Sequence, residues 1–496
     1  MIKLNSKIFL SILLLPLLLW NCKDEDFTTD SSYRLKLSVD TLSFDTIFTE
    51  TLTATQRMMV YNETSKDIRI EKIRLESSVK CFQINVNGRS GDEFTNVELR
   101  SKDSMYIFVQ AKLGELNQNA PMYILDSLVF LYNGNKQDVK LVTYGQDAHR
   151  LKSFTIEKDT SWTNDKPYLI FDTLKIAEGA TLTIEKGTRL YLHNGAHIQI
   201  NGRLEANGDF AHAPILFRGD RTDYIYGDIQ YDRIVGQWDG ISISKTSKGN
   251  VFNGCIIRSC NTAIRVDSAE IDPEVKRAVI SNSWLHNTKS VALKATNANL
   301  YAYNTIISNA LNANVLLQGG EYVFNHCSIV GVPKNSRYNS CVVLANFELY
   351  SATEELIPLN EANFTNCVIF GTFREELKLS GDKEKGAFNY VFRNCLLRSE
   401  KKELDVAYDS LHVLTDSNFV NNVWNEDPDF VMVDWDNYEF DFRLDNASAA
   451  KSKADNTLYC QFPECKNDIV GIDRLSKDST DIGAFVWVEI KEEPEE

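Results

Sequence analysis

The chain is short of positive charge. It has 53 lysine and arginine residues against 69 aspartate and glutamate residues, a formal net charge of −16 at pH 7. Such a surface repels nucleic acids and anionic membranes, so neither is an expected partner. An anionic polysaccharide would need a local basic groove. With 43% hydrophobic and 25% charged residues, the 496-residue chain has the composition of a folded protein of two or three domains.

A hydrophobic run long enough to span a bilayer is also missing. The apolar stretch at residues 8–20 is too short, and it ends just before Cys22. This order resembles a bacterial lipoprotein signal peptide of residues 1–21, after which Cys22 is lipidated and becomes the first residue. The two residues before the cysteine are larger than is usual. A plain signal peptide followed by an unrelated cysteine is the alternative.

Residues 22–32 are polar and are interpreted as a tether. Their sequence at 23–26, KDED, resembles the lysine-then-acidic export tag of Bacteroidota surface lipoproteins. That resemblance implies an outer-membrane protein that faces outward and contacts the membrane through its lipid alone. A solvated charged linker is the alternative.

Residues 33–150 contain about seven strand-length runs with alternating apolar positions, separated by turn signals such as Asn87-Gly88 and Asn133-Gly134. This pattern predicts an antiparallel β-sandwich. The stretches 42–62 and 142–149 resemble the immunoglobulin-like domains common in Bacteroidota lipoproteins. The resemblance implies a fold and carries no chemistry.

The region from 151 to 425 is repetitive. Seven two-residue pairs recur, and most have Asn first, a small residue second, and apolar residues after them. The pairs are Gly254-Cys255, Asn282-Ser283, Asn304-Thr305, His326-Cys327, Asn366-Cys367, Asn394-Cys395 and Asn421-Asn422. A fixed repeat predicts stacked coils with identical columns. The pairs resemble those of the right-handed parallel β-helix of the pectin-lyase-like superfamily, which hosts lyases, hydrolases, adhesins and inert scaffolds.

The end of the chain has a different pattern. Residues 426–490 resemble the C-terminal segment of bacterial surface β-helix proteins, and we expect them to cap the open strand edge of the last coil. Residues 491–496 form an acidic tail. The predicted class is therefore all-β: an N-terminal β-sandwich, a right-handed parallel β-helix and a C-terminal cap.

Catalytic signals are weak. The aspartate cluster, Gly-His-Gly and Arg-Ile-Lys motifs of polygalacturonases are absent, as are pectate-lyase signatures. Arg265, Lys294 and Gln318 are predicted to stack on three successive coils as a basic strip, with His286 as a possible base on another strand. A solvated outer face explains the same residues.

The segment 219–240 combines five aspartates with four aromatic residues, Tyr224, Tyr226, Tyr231 and Trp238. Aromatic rings stack on sugars and carboxylates accept hydrogen bonds from hydroxyls, so the segment is a candidate carbohydrate-binding surface. The acids could instead hold calcium, although no specific motif supports it. The plainer alternative is a loop packed over the first coils.

Four of the ten cysteines, Cys255, Cys327, Cys367 and Cys395, lie in the repeat column and are interpreted as small apolar filler. Cys460 and Cys465 flank a loop-like stretch and are candidates for a disulfide. His193 and His197 have metal-like spacing but straddle a turn, so no metal site and no cofactor is predicted.

These observations favour a cell-surface lipoprotein that binds a glycan or an outer-membrane protein without catalysis. A divergent polysaccharide lyase or glycoside hydrolase, and a purely structural scaffold, are the alternatives.

Overall fold

The computed structural model describes residues 27–76, 80–225, 229–332, 339–349, 355–399, 416–476 and 479–491. The predicted signal peptide, Cys22, Tyr226 and residues 492–496 of the acidic tail lie outside these ranges. No helix within them has the length and apolar character needed to cross a bilayer.

The chain divides into two compact units, residues 1–147 and 148–496. The described part of the first unit is a β-sandwich built from two sheets. The strands of the first sheet, in order of pairing, are Phe27–Thr28, Asp67–Leu75, Met122–Tyr132, Asn135–Gln146 and Thr41–Phe48, with Glu93–Leu99 also paired to Asp67–Leu75. The strands of the second sheet are Lys36–Leu37, Gln56–Tyr61, Ser104–Ala111, Phe82–Val86 and Arg89–Gly91.

The sandwich forms because every second residue of its strands is apolar and turns inward. Met58 and Val60 of one sheet and Ile68 and Ile70 of the other are buried in one shared core. Burial of each such side chain stabilises the fold by about 1.5–3 kcal/mol relative to exposure.

The second unit is a parallel β-helix with three ladders of stacked strands. Ladder A comprises His149–Ile156, Tyr168–Ile176, His197–Ile200, Trp238–Ile243, Cys260–Val266, Leu293–Thr296, Val315–Gln318, Val342–Ala345 and Leu377–Ser380. Ladder B comprises Arg189–Leu192, Ile215–Gly219, Cys255–Arg258, Trp284–Thr288, Ile306–Ala310, Ser328–Gly331, Val368–Gly371, Leu396–Leu397 and Val423–Trp424. Ladder C comprises Thr160–Trp162, Thr181–Ile184, Arg203–Asn207, Asn250–Asn253, Ala278–Ser281, Asn299–Tyr303, Gly320–Asn325, Leu359–Thr365, Val391–Arg393 and Phe419–Val420.

Strand pairing within each ladder is parallel, and successive coils stack in register. Thr181–Ile184, Arg189–Leu192 and His197–Ile200 each alternate half-buried and buried residues. Their buried side chains join one core that runs through the coil, including a stack of Phe324, Phe364 and Phe392 with ring centroids 4.7 and 4.9 Å apart. The predicted all-β class with a parallel β-helix is therefore confirmed.

The repeat column is the corner between ladders C and B. The first residue of each pair has a positive φ, for example 47° at Asn282, 48° at Asn304 and 51° at His326. Asparagine adopts this left-handed conformation more readily than most residues, which explains why it recurs here. Asn304 Nδ2 also donates to Asn282 Oδ1 at 3.2 Å, so the side chains bond along the corner.

The second residue is buried in six of the seven pairs, with Asn422 half-buried, and its side chain commonly hydrogen bonds to the carbonyl two residues earlier. Ser283 Oγ donates to the carbonyl of Ser281 at 2.6 Å, and Thr305 Oγ1 donates to that of Tyr303 at 2.8 Å. Cys367 Sγ lies 3.3 Å from the equivalent carbonyl, that of Thr365. The described column cysteines are buried thiols, which agrees with the interpretation as filler.

The end of the second unit combines a hairpin, Phe430–Asp434 with Glu439–Leu444, and 3₁₀ helices at Asn456–Cys460, Pro463–Lys466 and Arg474–Ser476. Its contacts run along the side of the coil. Phe442 and Ile469 pack on Ile306 and Val330 of ladder B, and Ala450 lies in a cluster with Val368 and Leu396. The expectation of an end cap stays a prediction.

Between Ile215–Gly219 of ladder B and Trp238–Ile243 of ladder A lie a short hairpin, Tyr224–Ile225 with Ile229–Gln230, and the 3₁₀ turn Tyr231–Arg233.

Candidate functional site

A cleft of about 330 Å³ lies on the outer side of ladder C, near the C-terminal end of the coil. We name it the asparagine cleft. Its lining is mostly polar, and comprises Asn360, Glu361, Asn363, Lys383, Gly386, Ala387, Phe388, Asn389, Tyr390, Val391 and Asn418. The volume falls at the lower end of the range for small-molecule sites.

The coil positions three of these residues on one column. Asn363 pairs in register with Val391, and Asn418 directly precedes Phe419, which pairs with Phe392. Because outward positions of stacked strands align, these side chains form one wall of the cleft.

The other wall is the loop at residues 381–389, which the buried Asn346 fixes in place. Asn346 Oδ1 accepts a hydrogen bond from the Asp382 amide at 3.0 Å, and its Nδ2 donates to the Asp382 carbonyl at 2.9 Å. The loop then returns to the coil through a bridge between Leu359 and Phe388. The cleft is therefore bounded by a fixed loop and a fixed sheet.

At the floor of the cleft, the Tyr390 hydroxyl donates to Asp416 Oδ2 at 2.5 Å. Burial, followed by the nearby Asp416 carboxylate, raises the pKa of Tyr390, so the phenol stays protonated and keeps donating. The Lys383 ammonium lies 5.0 Å from the Tyr390 ring centroid and 4.0 Å from Asp416 Oδ2.

The polar groups of the wall retain hydrogen-bonding capacity. Asn363 Nδ2 donates to Glu361 Oε1 at 2.6 Å, and Asn389 Nδ2 donates to the Asn360 carbonyl at 3.1 Å. Each amide then has an oxygen left to accept, and Glu361 has a second carboxylate oxygen. Neighbouring hydroxyl groups of a ligand are suited to such a set of acceptors and donors.

The predicted base His286 does not line the asparagine cleft. It is 1% exposed, its Nδ1 lies 2.9 Å from Ser308 Oγ, and Tyr438 and Phe440 of the C-terminal hairpin cover its ring. Burial lowers the pKa of His286 well below its usual value. These surroundings favour a packing role, since a polysaccharide cannot reach the ring.

The predicted basic strip forms only in part. Arg265 and Lys294 are register partners in ladder A, but the partner of Lys294 on the next coil is Leu316. Gln318, expected there, lies two residues further on and is buried. Arg265 Nε pairs with Asp267 Oδ1 at 3.1 Å. His286 belongs to ladder B, so the structure does not bring it to the face of Arg265 and Lys294.

The predicted aromatic surface at 219–240 is also divided. Trp238 is fully buried in the coil core, and its Nε1 donates to the Arg258 carbonyl at 3.0 Å. Tyr231 lies under the Arg221 guanidinium, 3.7 Å from its ring centroid. Tyr224 is exposed, and Tyr226 lies outside the described residues. The three described rings, Tyr224, Tyr231 and Trp238, therefore do not share one platform.

Two of the described aspartates of that segment, Asp220 and Asp232, are engaged by other side chains. Asp232 pairs with Arg258 at 2.8 Å and Arg218 at 3.3 Å, while Asp220 Oδ2 lies 2.7 Å from His193 Nδ1. His197 lies instead against Ser242 Oγ, at 2.7 Å. In the described ranges, no three His, Cys, Asp or Glu side chains are placed to hold a metal ion.

Cys460 and Cys465 are not bonded in this structure. Cys460 is exposed, whereas Cys465 is buried with its Sγ 3.3 Å from the Tyr301 hydroxyl. The two residues belong to different 3₁₀ helices, Asn456–Cys460 and Pro463–Lys466, and the disulfide between them stays a prediction.

Comparisons with known proteins add little. No protein-family model matches the chain, and no curated protein resembles it significantly. A protein of unknown function from Porphyromonas gingivalis W83 matches with 12% identity over 25% of this chain and 59% of its own, at a TM-score of 0.17. The seventh PapD-like (ASH) domain of human CEP192 matches with 14% identity over 25% of this chain and 88% of its own, at a TM-score of 0.16. At these TM-scores, neither likeness supports an inference.

The residues of the asparagine cleft were not identified from the sequence. Their signal was present but ambiguous: Asn360, Asn363 and Asn389 lie close to the strongest asparagine repeat of the chain. From the sequence, the loop between Asn366 and Asn394 is expected to be an outward insertion. In the structure it bends back onto ladder C through the bridge between Leu359 and Phe388.

Proposed function

We propose that this protein is a lipid-anchored, outward-facing lipoprotein that binds a neutral glycan at the asparagine cleft. The anchoring rests on the signal-like segment and Cys22, and the immunoglobulin-like character of the sandwich rests on sequence resemblance. The single observation that supports glycan binding is a cleft of fixed shape whose lining combines side-chain amides, one carboxylate and an aromatic floor.

The charge of the cleft favours a neutral ligand. Glu361 lines it, Asp416 lies beneath it, and Lys383 is the cation among the lining residues. An anionic sugar would meet repulsion from both carboxylates in addition to that of a chain with a net charge of −16. Hydroxyl groups can bond to amides and carboxylates without that cost.

A glycoside hydrolase is the second candidate. Such enzymes use two carboxylates, one as an acid and one as a base or nucleophile. Glu361 lines the cleft, and Asp416 contacts two lining residues, Tyr390 and Lys383. Asp416 is already engaged by both of these groups, and we therefore favour binding without hydrolysis.

The binding test uses the Glu361→Gln variant with a panel of neutral polysaccharides in titration calorimetry. A hydrogen bond to a charged acceptor contributes about 1.5–3 kcal/mol, so we expect about a tenfold to hundredfold loss of affinity. Lys385→Ala is the control, because Lys385 is in the same loop but pairs with Asp382 outside the cleft. Equal affinity of Glu361→Gln and the native protein would remove the cleft from consideration.

The same samples distinguish the two candidates. Release of reducing ends by the native protein, abolished in Glu361→Gln, would establish a hydrolase. Binding without release would support the binding function.

Localisation is tested by adding protease to intact cells. We expect cleavage in the native protein and loss of surface exposure in Cys22→Ala. Protection in intact cells with cleavage after lysis would place the protein in the periplasm.

A further inference from the structure

The N-terminal sandwich carries an exposed aromatic pair that its fold does not need. Tyr106 and Phe108 lie on the outward side of strand Ser104–Ala111, 48% and 40% exposed. Their ring centroids are 6.1 Å apart and their planes differ by 13°. The two rings therefore form an exposed apolar platform near the centre of the sheet, and exposed apolar surface of this kind indicates an interaction site.

Polar groups surround the platform on the neighbouring strands. Register pairs Phe108 with Arg57 on one side and with Asn85 on the other, and it pairs Gln110 with Gln83. The Arg57 guanidinium lies 5.9 Å from the Tyr106 ring centroid. The rings are thus flanked by side-chain amides and by one cation.

The charge of this face differs from that of the whole chain. The outward positions of the three central strands include no carboxylate; they are Arg57, Met59, Tyr61, Ser104, Tyr106, Phe108, Gln110, Gln83 and Asn85. Within the described ranges, no carboxylate lies within ion-pair distance of Arg57. Although the whole chain has a net charge of −16, the central strands of this face present a cation and no carboxylate to an approaching anion.

We propose that this face binds an acidic polysaccharide, with sugar rings stacked on Tyr106 and Phe108 and a uronate carboxylate on Arg57. Gln83, Asn85 and Gln110 supply hydrogen bonds to hydroxyls. The guanidinium matches a carboxylate in shape and charge. A pyranose ring presents C–H groups that pack on an aromatic face.

The opposite sheet provides a contrast. Tyr123 and Tyr144 are register partners with ring centroids 5.3 Å apart, and both are exposed. Their neighbours in register include Leu125, Val142 and Thr46, none of which carries an amide or a cation. The two aromatic pairs differ in the polar groups that a uronate would require.

The experiment measures binding of the full-length protein to alginate oligosaccharides and to the same material with its carboxyl groups reduced to alcohols. We expect Tyr106→Ala to weaken binding of alginate at least tenfold. Arg57→Gln is expected to weaken alginate binding about tenfold and to leave the reduced material unaffected. Added salt should weaken only the alginate complex. Each replaced side chain is exposed, so the thermal unfolding midpoint serves as the folding check.

Tyr123→Ala is the matched control for an exposed aromatic residue, and Glu361→Gln separates this site from the asparagine cleft. Both should retain native affinity for alginate. The proposal is overturned if alginate does not bind, if Tyr106→Ala binds as the native protein does, or if Tyr123→Ala weakens binding equally. It is also overturned if Tyr106→Ala abolishes self-association while alginate binding is absent.

Discussion

Asn304 connects the corner of the coil to the C-terminal segment, which makes it the most informative single position to replace. Its Oδ1 accepts a hydrogen bond from Arg474 Nη2 at 2.9 Å. Its Nδ2 donates to the Asn467 carbonyl at 2.7 Å and to Asn282 Oδ1 at 3.2 Å. Arg474 is itself buried, and its Nη2 also donates to the carbonyls of Gly483 and Ala484, each at 3.1 Å.

Replacement of Asn304 lowers the free energy of unfolding in two ways, by loss of hydrogen bonds and by strain of the backbone. Asn304→Gly keeps the positive φ but removes one hydrogen bond to a charged group and two neutral ones, a loss of about 3–5 kcal/mol. Asn304→Ala removes the same bonds and also places an alanine in the left-handed region, which costs about 1–2 kcal/mol more. Removal of an acceptor from a buried guanidinium belongs at the upper end of the first range.

Asn421 supplies the control. It has the same corner conformation, with φ 52°, but it is exposed and makes no side-chain hydrogen bond among the described residues. We expect Asn421→Gly to leave the free energy of unfolding nearly unchanged. Asn421→Ala should lower it only by the cost of placing alanine in the left-handed region, about 1–2 kcal/mol.

Hydrogen exchange is the appropriate assay, because stacked coils need not unfold in one step. The amides of Gly483 and Ala484, which bond to the Asn366 carbonyl and Ser328 Oγ, report on attachment of the segment. Faster exchange at these amides in Asn304→Gly, with slow exchange retained in the coil core, is the expected result. If Asn304→Gly and Asn421→Gly exchange alike, the reasoning from hydrogen bonds fails.

Two further predictions concern buried titratable groups. Burial holds the pKa of His326 and of His286 well below 6.5, so the unfolded chain binds protons that the folded chain does not. Stability is then full above pH 6.5 and falls below it, by up to about 1.4 kcal/mol per pH unit for each histidine. Urea unfolding between pH 7 and 5 should show this slope, and His326→Asn, which restores the usual corner residue, should reduce it by one proton. For the thiols, iodoacetamide should label the exposed Cys460 in the native protein and leave Cys465 unlabelled, because burial raises the pKa of Cys465 to about 12. Mass spectrometry that finds the two cysteines cross-linked instead would contradict the structure.

The repeat column was predictable because it records a backbone requirement. A corner with positive φ selects asparagine, and the interior position beside it accepts only small residues, so both preferences recur in the sequence. A second corner column, between ladders B and A, escaped notice. There Asn309 Nδ2 donates to Asn287 Oδ1 at 3.1 Å, and Asn287 Nδ2 donates to Ser259 Oγ at 3.2 Å. It spans few coils and mixes residue types, so it lacks the regularity that marks the first.

Side-chain accessibility was much less predictable. The tyrosine and tryptophan residues of segment 219–240 look alike in a list of aromatic residues, yet Trp238 fills the core and Tyr224 faces solvent. The burial of His286 depends on the hairpin Phe430–Leu444, which is distant in sequence. The register of the basic strip depends on the coil length, which is 22 residues between Asn282 and Asn304. This length places Leu316 beside Lys294 on the next coil, and Gln318 lies two residues further on.

The same column of ladder C explains why the asparagine cleft lies where it does. Tyr301, Val323, Asn363 and Val391 succeed one another along this column. Phe462 of the C-terminal segment covers Tyr301, with ring centroids 5.5 Å apart. The loop at 381–389, which forms the other wall of the cleft, is inserted further along, where 28 residues separate Asn366 from Asn394 against 22 between Asn282 and Asn304. Insertions can form walls only where the C-terminal segment does not already cover the face, so the cleft opens at Asn363, beyond the reach of that contact.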